Sequence, residues 1–327
     1  MNCKRLTLAA LALGTLLGSM LGSVSTAHAE LKKADTPWSR PTFVYGAGLS
    51  EKDVLATANA LGTAGENLLQ MPIDGSDILR YIGVSSPDGQ MISSALVRKL
   101  KSGQGIVVDI KTPENITQIT KVDYANAAIT AGAKDLQISV ASIYNVTGAS
   151  ALTGVYKALE ANGVKLDRDR MVVAQKELNT VNAITQENKD KKEFDKKNLD
   201  QLIINIKNEL NLFINNSGNN NTITRSQVEE IVQNAAKANH LSGVLSNDQM
   251  RQLTSLFDQY AKTDAIRSSD VVAQLKTLSN DVMQKAKDWY GEAKASGLLD
   301  RILQFLKGIL NAIVGFFQWL ISLLQHL

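Results

Sequence analysis

Hydrophobic and polar positions follow two different periods along this chain. Between residues 40 and 163, short apolar and β-branched runs alternate with helical stretches. Residues 42–45 predict a strand, and Gly46, Ala47 and Gly48 turn the chain. Ser50, with Asp53 three residues on, predicts a capped helix through about Leu61. Residues 68–71 and 94–97 predict further strands, and 106–110, Ile-Val-Val-Asp-Ile, reads as the clearest buried one. Residues 121–130 predict a helix closed by Gly132. Residues 136–142 alternate as a strand does, and 150–161 predict another helix, closed by Gly163. Two strands bracketing the helix around Tyr124 fit a βαβ unit. A mostly parallel sheet and a mixed one both satisfy this pattern.

From about residue 166 the period becomes helical. Leu199, Leu202, Ile203, Ile206, Leu210 and Phe213 mark one helix face. Thr224 with Gln227, and Ser246 with Gln249, are capping boxes that open two more helices. A further helix over 269–290 points Val272, Leu275, Leu278, Val282 and Trp289 inward. The charged stretch 187–200 and the Asn-rich stretch 215–221 bury little apolar area and read as solvated. The expected fold class is an α/β or α+β N-terminal domain followed by an all-α helical domain with a strongly apolar C-terminal helix. The expected divisions are a signal peptide over 1–29 and a flexible mature N-terminus over 30–39. An α/β domain over 40–165, a helical domain over 166–296 and the apolar amphipathic helix over 297–327 follow.

That last helix has an inverted pattern. Gln304, Asn311, Gln318 and Gln325 fall seven residues apart, and Gly308, Gly315 and Ser322 follow four after an amide. Together they form one narrow polar seam. The rest is large and apolar, with Phe316, Phe317 and Trp319 among it, and Lys307 is the last formal charge apart from a charged His326. At about 1.5 Å per residue, 308–327 would span roughly 30 Å, the thickness of a hydrocarbon core. Three arrangements suit such a helix: lying in a membrane interface, spanning a membrane with its seam against a like helix, or burial under its own domain. Spanning lacks the Lys or Arg that should follow the helix. The expected partners are therefore a membrane surface or a helical protein partner bound through 298–327, or a second copy of the chain.

The N-terminus states an address. Lys4 and Arg5 precede the uncharged apolar run 6–24, and Ala27-His28-Ala29 suits cleavage before Glu30, so export is expected. The signal would remove the only cysteine, Cys3, leaving no thiol nucleophile, disulfide or cysteine metal site. It would also remove two of the 35 basic residues and none of the 32 acidic ones. The remaining 33 against 32 gives +1, which is no footprint for nucleic acid. His240 and His326 lie far apart, on segments read as helical, so histidine catalysis and a histidine zinc site are disfavoured. No metal or cofactor is expected. Carboxylate-pair chemistry stays open, although no pair is marked.

One segment could hold a ligand. Thr147, Gly148, Ser150, Thr153 and Gly154 follow a strand and open a helix, where backbone N–H groups can hold an anion. The segment lacks Gly-Lys-Ser/Thr and G-x-G-x-x-G. The competing reading is a tight strand-to-helix turn in which Gly154 permits close packing.

The segments 124–132, Tyr-Ala-Asn-Ala-Ala-Ile-Thr-Ala-Gly, and 147–154 resemble the secreted family catalogued as domain of unknown function 1002, found in Gram-positive bacteria. The opening Gly46-Ala47-Gly48-Leu49-Ser50 is similar too, with Gly48 where that family more usually has an acidic residue. Ile143-Tyr144-Asn145 stands where it has a proline-containing stretch. The resemblance covers roughly residues 40–290. It implies export and a two-part organisation, and supplies no activity. The expected function is a secreted, non-enzymatic binding or structural module of the cell envelope, tethered by its C-terminal helix. The alternative is a carboxylate-dependent envelope hydrolase with its site near 147–154.

Overall fold

The structure, a computed structural model, describes residues 33–216 and 222–292, the side chains of 215, 216 and 281–292 excepted. The predicted signal peptide lies outside them. So does the apolar segment 298–327 with its seam of Gln304, Gly308, Asn311, Gly315, Gln318, Ser322 and Gln325. Among the described residues no helix is long and apolar enough to cross a membrane.

The fold is a mixed five-stranded sheet with helices, followed by a helical array. In chain order come β1 (Thr42–Gly46), α1 (Glu51–Ala60), β2 (Leu69–Ile73), α2 (Gly75–Ile82), β3 (Ser94–Lys99) and β4 (Ile106–Ile110). Then come α3 (Lys121–Ala131), β5 (Leu136–Ala141), α4 (Ala149–Ala161), α5 (Arg168–Asn188) and α6 (Lys196–Asn216). The described chain closes with α7 (Arg225–Ala238), α8 (Asn247–Tyr260) and α9 (Ser269–Glu292). The caps lie where local chemistry put them. Ser50 accepts from Asp53 N, and Thr120, Thr224 and Ser246 each form a reciprocal box with the residue three on. Gly132 ends α3 in the left-handed region.

The strands lie in the order β2-β1-β3-β5-β4. β1 with β2 and β4 with β5 are parallel, whereas β3 runs antiparallel to both β1 and β5. The β4–α3–β5 crossover is the expected βαβ unit. Pro72 in β2 costs no ladder bond that an edge strand needs.

Alternation divides the sheet faces. Thr42, Val44, Val97, Ile138 and Val140 face α3 and α4, and all are fully buried. Phe43, Leu96 and Ala141 face α1, packing with Leu61, Val54 and Ala58. The strand expected to be the most buried, β4, is instead an edge strand, and Val107 is 44% exposed. Its apolar run matches a parallel strand, but α1 does not reach across to cover its second face.

α3 is buried over nearly its whole length because it is enclosed by β4, α4, α5, α6 and α9. The charged stretch 187–200 is mostly exposed, as expected of a solvated segment, with an exception at its end. Lys196 pairs with both Asp123 of α3 and Asp200 of α6, and both aspartates are at least nine-tenths buried. His240 sits in a turn past α7 at φ +57°, not on a helix. Val282 and Trp289, expected to point inward from α9, have side chains outside the described residues.

One buried and one partly buried carboxyl give the stability a pH dependence. Desolvation pushes Asp200 up to about 7, and burial alone pushes Glu209 up to about 7. Unfolded carboxyls titrate near ~4. Between those values the folded chain holds protons that the unfolded chain releases, so stability falls as pH rises through that window. Asp200→Asn is expected to remove about 2–4 kcal/mol of the fall between roughly pH 5 and 8. Urea midpoints across that range measure it, and a slope parallel to wild type would assign the proton elsewhere.

Candidate binding cleft

A cleft of about 520 Å³ opens between the sheet-side helices and α5. One wall is the strand-to-helix turn: Val146, Thr147, Gly148, Ala149, Ser150 and Thr153. The α2 side contributes Ile78, Ile82 and Val84, and the segment leading into β3 contributes Ser86, Gln90, Met91 and Ser93. The facing wall is α5, through Val172, Gln175, Lys176, Asn179 and Thr180. The structure thus brings together four of the five residues singled out in the turn. Gly154 is the fifth and lies apart. A Cβ there would sit 3.4 Å from Val44 Cγ1, so it serves close packing of α4 on β1.

Gly148 makes the turn. It caps α4 at φ +95°, a conformation that disfavours any side chain. Tyr124 donates its hydroxyl to Gly148 O at 2.7 Å, and a Cβ on Gly148 would meet that hydroxyl at 2.3 Å. Burial raises the Tyr124 pKa far above the ordinary phenol value, so it stays a donor. Gly148 offers no side-chain cap. Ala149 N–H reaches only Thr147 Oγ1, at 3.4 Å, and Ala151 N–H donates to Ser93 Oγ at 3.0 Å. Ser150 N–H, in the first helical turn, has no protein acceptor among the described residues. The Ser93 and Ser150 hydroxyls bond each other at 2.7 Å.

The α5 wall carries amides. Gln175 Nε2 donates to Asn179 Oδ1 at 3.2 Å, while the buried Gln175 Oε1 accepts from nothing. Lys176 is the one charged residue in the lining. Burial lowers its pKa, and its Nζ reaches Ser255 Oγ at 3.4 Å.

Chemically the lining is hydroxyl and amide over an apolar floor. It includes no Asp, Glu, Cys or His among the described residues. Among the described residues the two serine hydroxyls bond each other, Ser93 O and Ala151 N–H. The hydrolase expected as an alternative finds no carboxylate pair here. Nor do the described residues contain a group of three or more His, Cys, Asp or Glu able to hold a metal.

Sequence reasoning missed the α2 and α5 contributions. α2 had a signal in Asp74 and Asp77, which form a reciprocal capping box around Gly75 at the first helical position. α5 had another in Val172, Gln175, Lys176 and Asn179, a helical stripe too polar for a core.

The mixed five-stranded sheet and the helices appended to it define a mixed α/β fold followed by a helical array. The chain belongs to the family described as "Protein of unknown function (DUF1002)", whose profile matches residues 45–278. It is 30% identical over 294 residues to "Uncharacterized protein YpuA" of Bacillus subtilis (strain 168), covering 87% of this chain and 92% of that one. No solved structure matches.

Proposed function

We propose that the protein is a secreted, non-enzymatic binding module of the cell envelope. Its cleft would hold a small uncharged ligand, and residues 298–327 would tether it to a membrane surface, a helical partner or a second copy. The observation that carries the binding reading is the cleft, large enough for a small molecule and lined by apolar surface with a few convergent polar groups. Support for export and tethering comes from the sequence: the apolar run after Lys4 and Arg5, and the inverted pattern of the last 30 residues.

Co-sedimentation with liposomes tests the tether, using residues 30–327 beside a version ending at Ser296. The full-length mature protein is expected to pellet with lipid and the shortened one to stay in solution. Equal solubility of both as monomers would overturn tethering. The binding reading is tested separately by thermal shift with uncharged sugars and blocked peptides. A ligand present at 100 times its Kd raises stability by about 2.7 kcal/mol, so a flat panel would count against the cleft.

A further inference from the structure

We propose that, in water, the cleft is the seat of the chain's own C-terminal segment. Phe316, Trp319, Leu320 and Leu323 would insert, and the amide seam would face solvent. This rests on the cleft being a binding site, as proposed above, and names its first occupant. Lipid would compete for the same four anchors, so the docked state is the one held away from a membrane.

The lining suits an apolar, chargeless guest. Ile78, Ile82 and Val84 line the α2 side and Val172 lines the α5 wall. Val84 is 54% exposed, so apolar surface runs out to the rim. Lys176 apart, the polar groups between them are neutral. Residues 308–327 contain no Asp, Glu, Lys or Arg, so docking them strands no charge in that lining.

The spacing suits a groove as well. Phe316, Trp319, Leu320 and Leu323 fall at i, i+3, i+4 and i+7, the anchor pattern of an amphipathic helix laid in a groove. Gln318 and Gln325 lie about half a turn from Phe316, so inserting the anchors leaves them toward water. A cleft of about 520 Å³ is too small for a helix about 10–12 Å across and admits its side chains instead.

Reach and mass action favour this segment over a second copy's. The described chain ends at Glu292. Residues 293–297 fully extended, followed by a helix as far as Phe316, reach roughly 45 Å. That exceeds twice the radius of gyration of roughly 18 Å expected for a domain of about 260 residues. A segment on the same chain also competes at an effective concentration in the millimolar range. Soluble chains rarely leave so large an apolar face uncovered.

Disulfide trapping in the mature chain, residues 30–327, tests this in lipid-free buffer. That chain has no cysteine of its own, because Cys3 lies in the predicted signal. Thr180→Cys on the α5 wall, combined with Leu320→Cys, is expected to close within one chain about tenfold faster than Lys237→Cys on α7 combined with Leu320→Cys. Val84→Cys with Leu320→Cys repeats the test from the opposite wall, at an exposed position that keeps the measurement available if the Thr180 variant fails to fold. Equal rates for cleft and control pairs overturn the inference and leave the cleft as a binding site. Disulfides between chains rather than within one overturn it in favour of a second copy. The ligand panel, run on the version ending at Ser296, decides the underlying reading separately. A flat panel on that version counts against the ligand site whatever the disulfides show.

Discussion

Replacing Lys207 with methionine is expected to destabilise the protein by about 3–5 kcal/mol. Lys207 of α6 is fully buried and Glu177 of α5 is 2% exposed. Lys207 Nζ bonds Glu177 Oε1 at 2.5 Å and donates to Asn126 O of α3 at 3.0 Å. Thr130 Oγ1 completes the carboxylate by donating to Glu177 Oε2 at 2.8 Å. One pair therefore joins three helices. Burial lowers the Lys207 pKa, and Glu177 opposes that effect. Methionine fills nearly the same volume, so its cost isolates the stranded carboxylate. Adding Glu177→Gln in the same chain is expected to recover most of the loss, because a neutral amide can keep the Thr130 bond. Urea unfolding of the two single variants and the double completes the cycle. A loss under about 1 kcal/mol for Lys207→Met would mean that water reaches Glu177 once the lysine is gone.

Gly46→Ala is expected to cost about 3 kcal/mol or to prevent soluble expression, at the upper end of overpacking. A Cβ at Gly46 would sit 2.0 Å from Met91 O, 2.4 Å from Met91 C and 2.7 Å from Ile92 N. All three are backbone atoms of the segment that floors the cleft, so relief requires moving that segment. Gly46 N also donates to Ser94 Oγ at 3.2 Å, fixing the same approach from β1. Gly89→Ala is the control, since a Cβ there meets nothing within 4 Å. It is expected to stay within about 0.5 kcal/mol of wild type. Thermal and urea midpoints of both variants check the contrast, and equal effects would show that the approach at Met91 is not rigid.

The sequence carried its local devices plainly. Ser50, Thr224 and Ser246 announce helix starts because a cap needs only a side chain and an N–H three residues on, whereas the Thr120 cap was not read from the sequence. β1, β3 and β5 show as apolar runs for a similar reason. What escaped was set by distant partners. Nothing within 106–110 says that β4 lies at an edge, because exposure there depends on where α1 ends. The insertion of β3 between β1 and β5 is a matter of pairing across the chain. Lys196 and Asp200 sit in a run that looks solvated, and only the approach of α3 and Asp123 buries them. The turn at 147–153 was visible as a strand-to-helix junction. Its facing wall was not, because α5 reaches it only after the whole of α4 has returned across the sheet.

α5 carries two duties on one rod. Gln175, Lys176 and Asn179 line the cleft, while Glu177, between them in sequence, is locked into the three-helix pair. A ligand bound in the proposed cleft would touch the helix that also carries the core pair, and any ligand that binds only the folded chain stabilises it. A ligand that settles against α5 should slow amide exchange along α3 and α6.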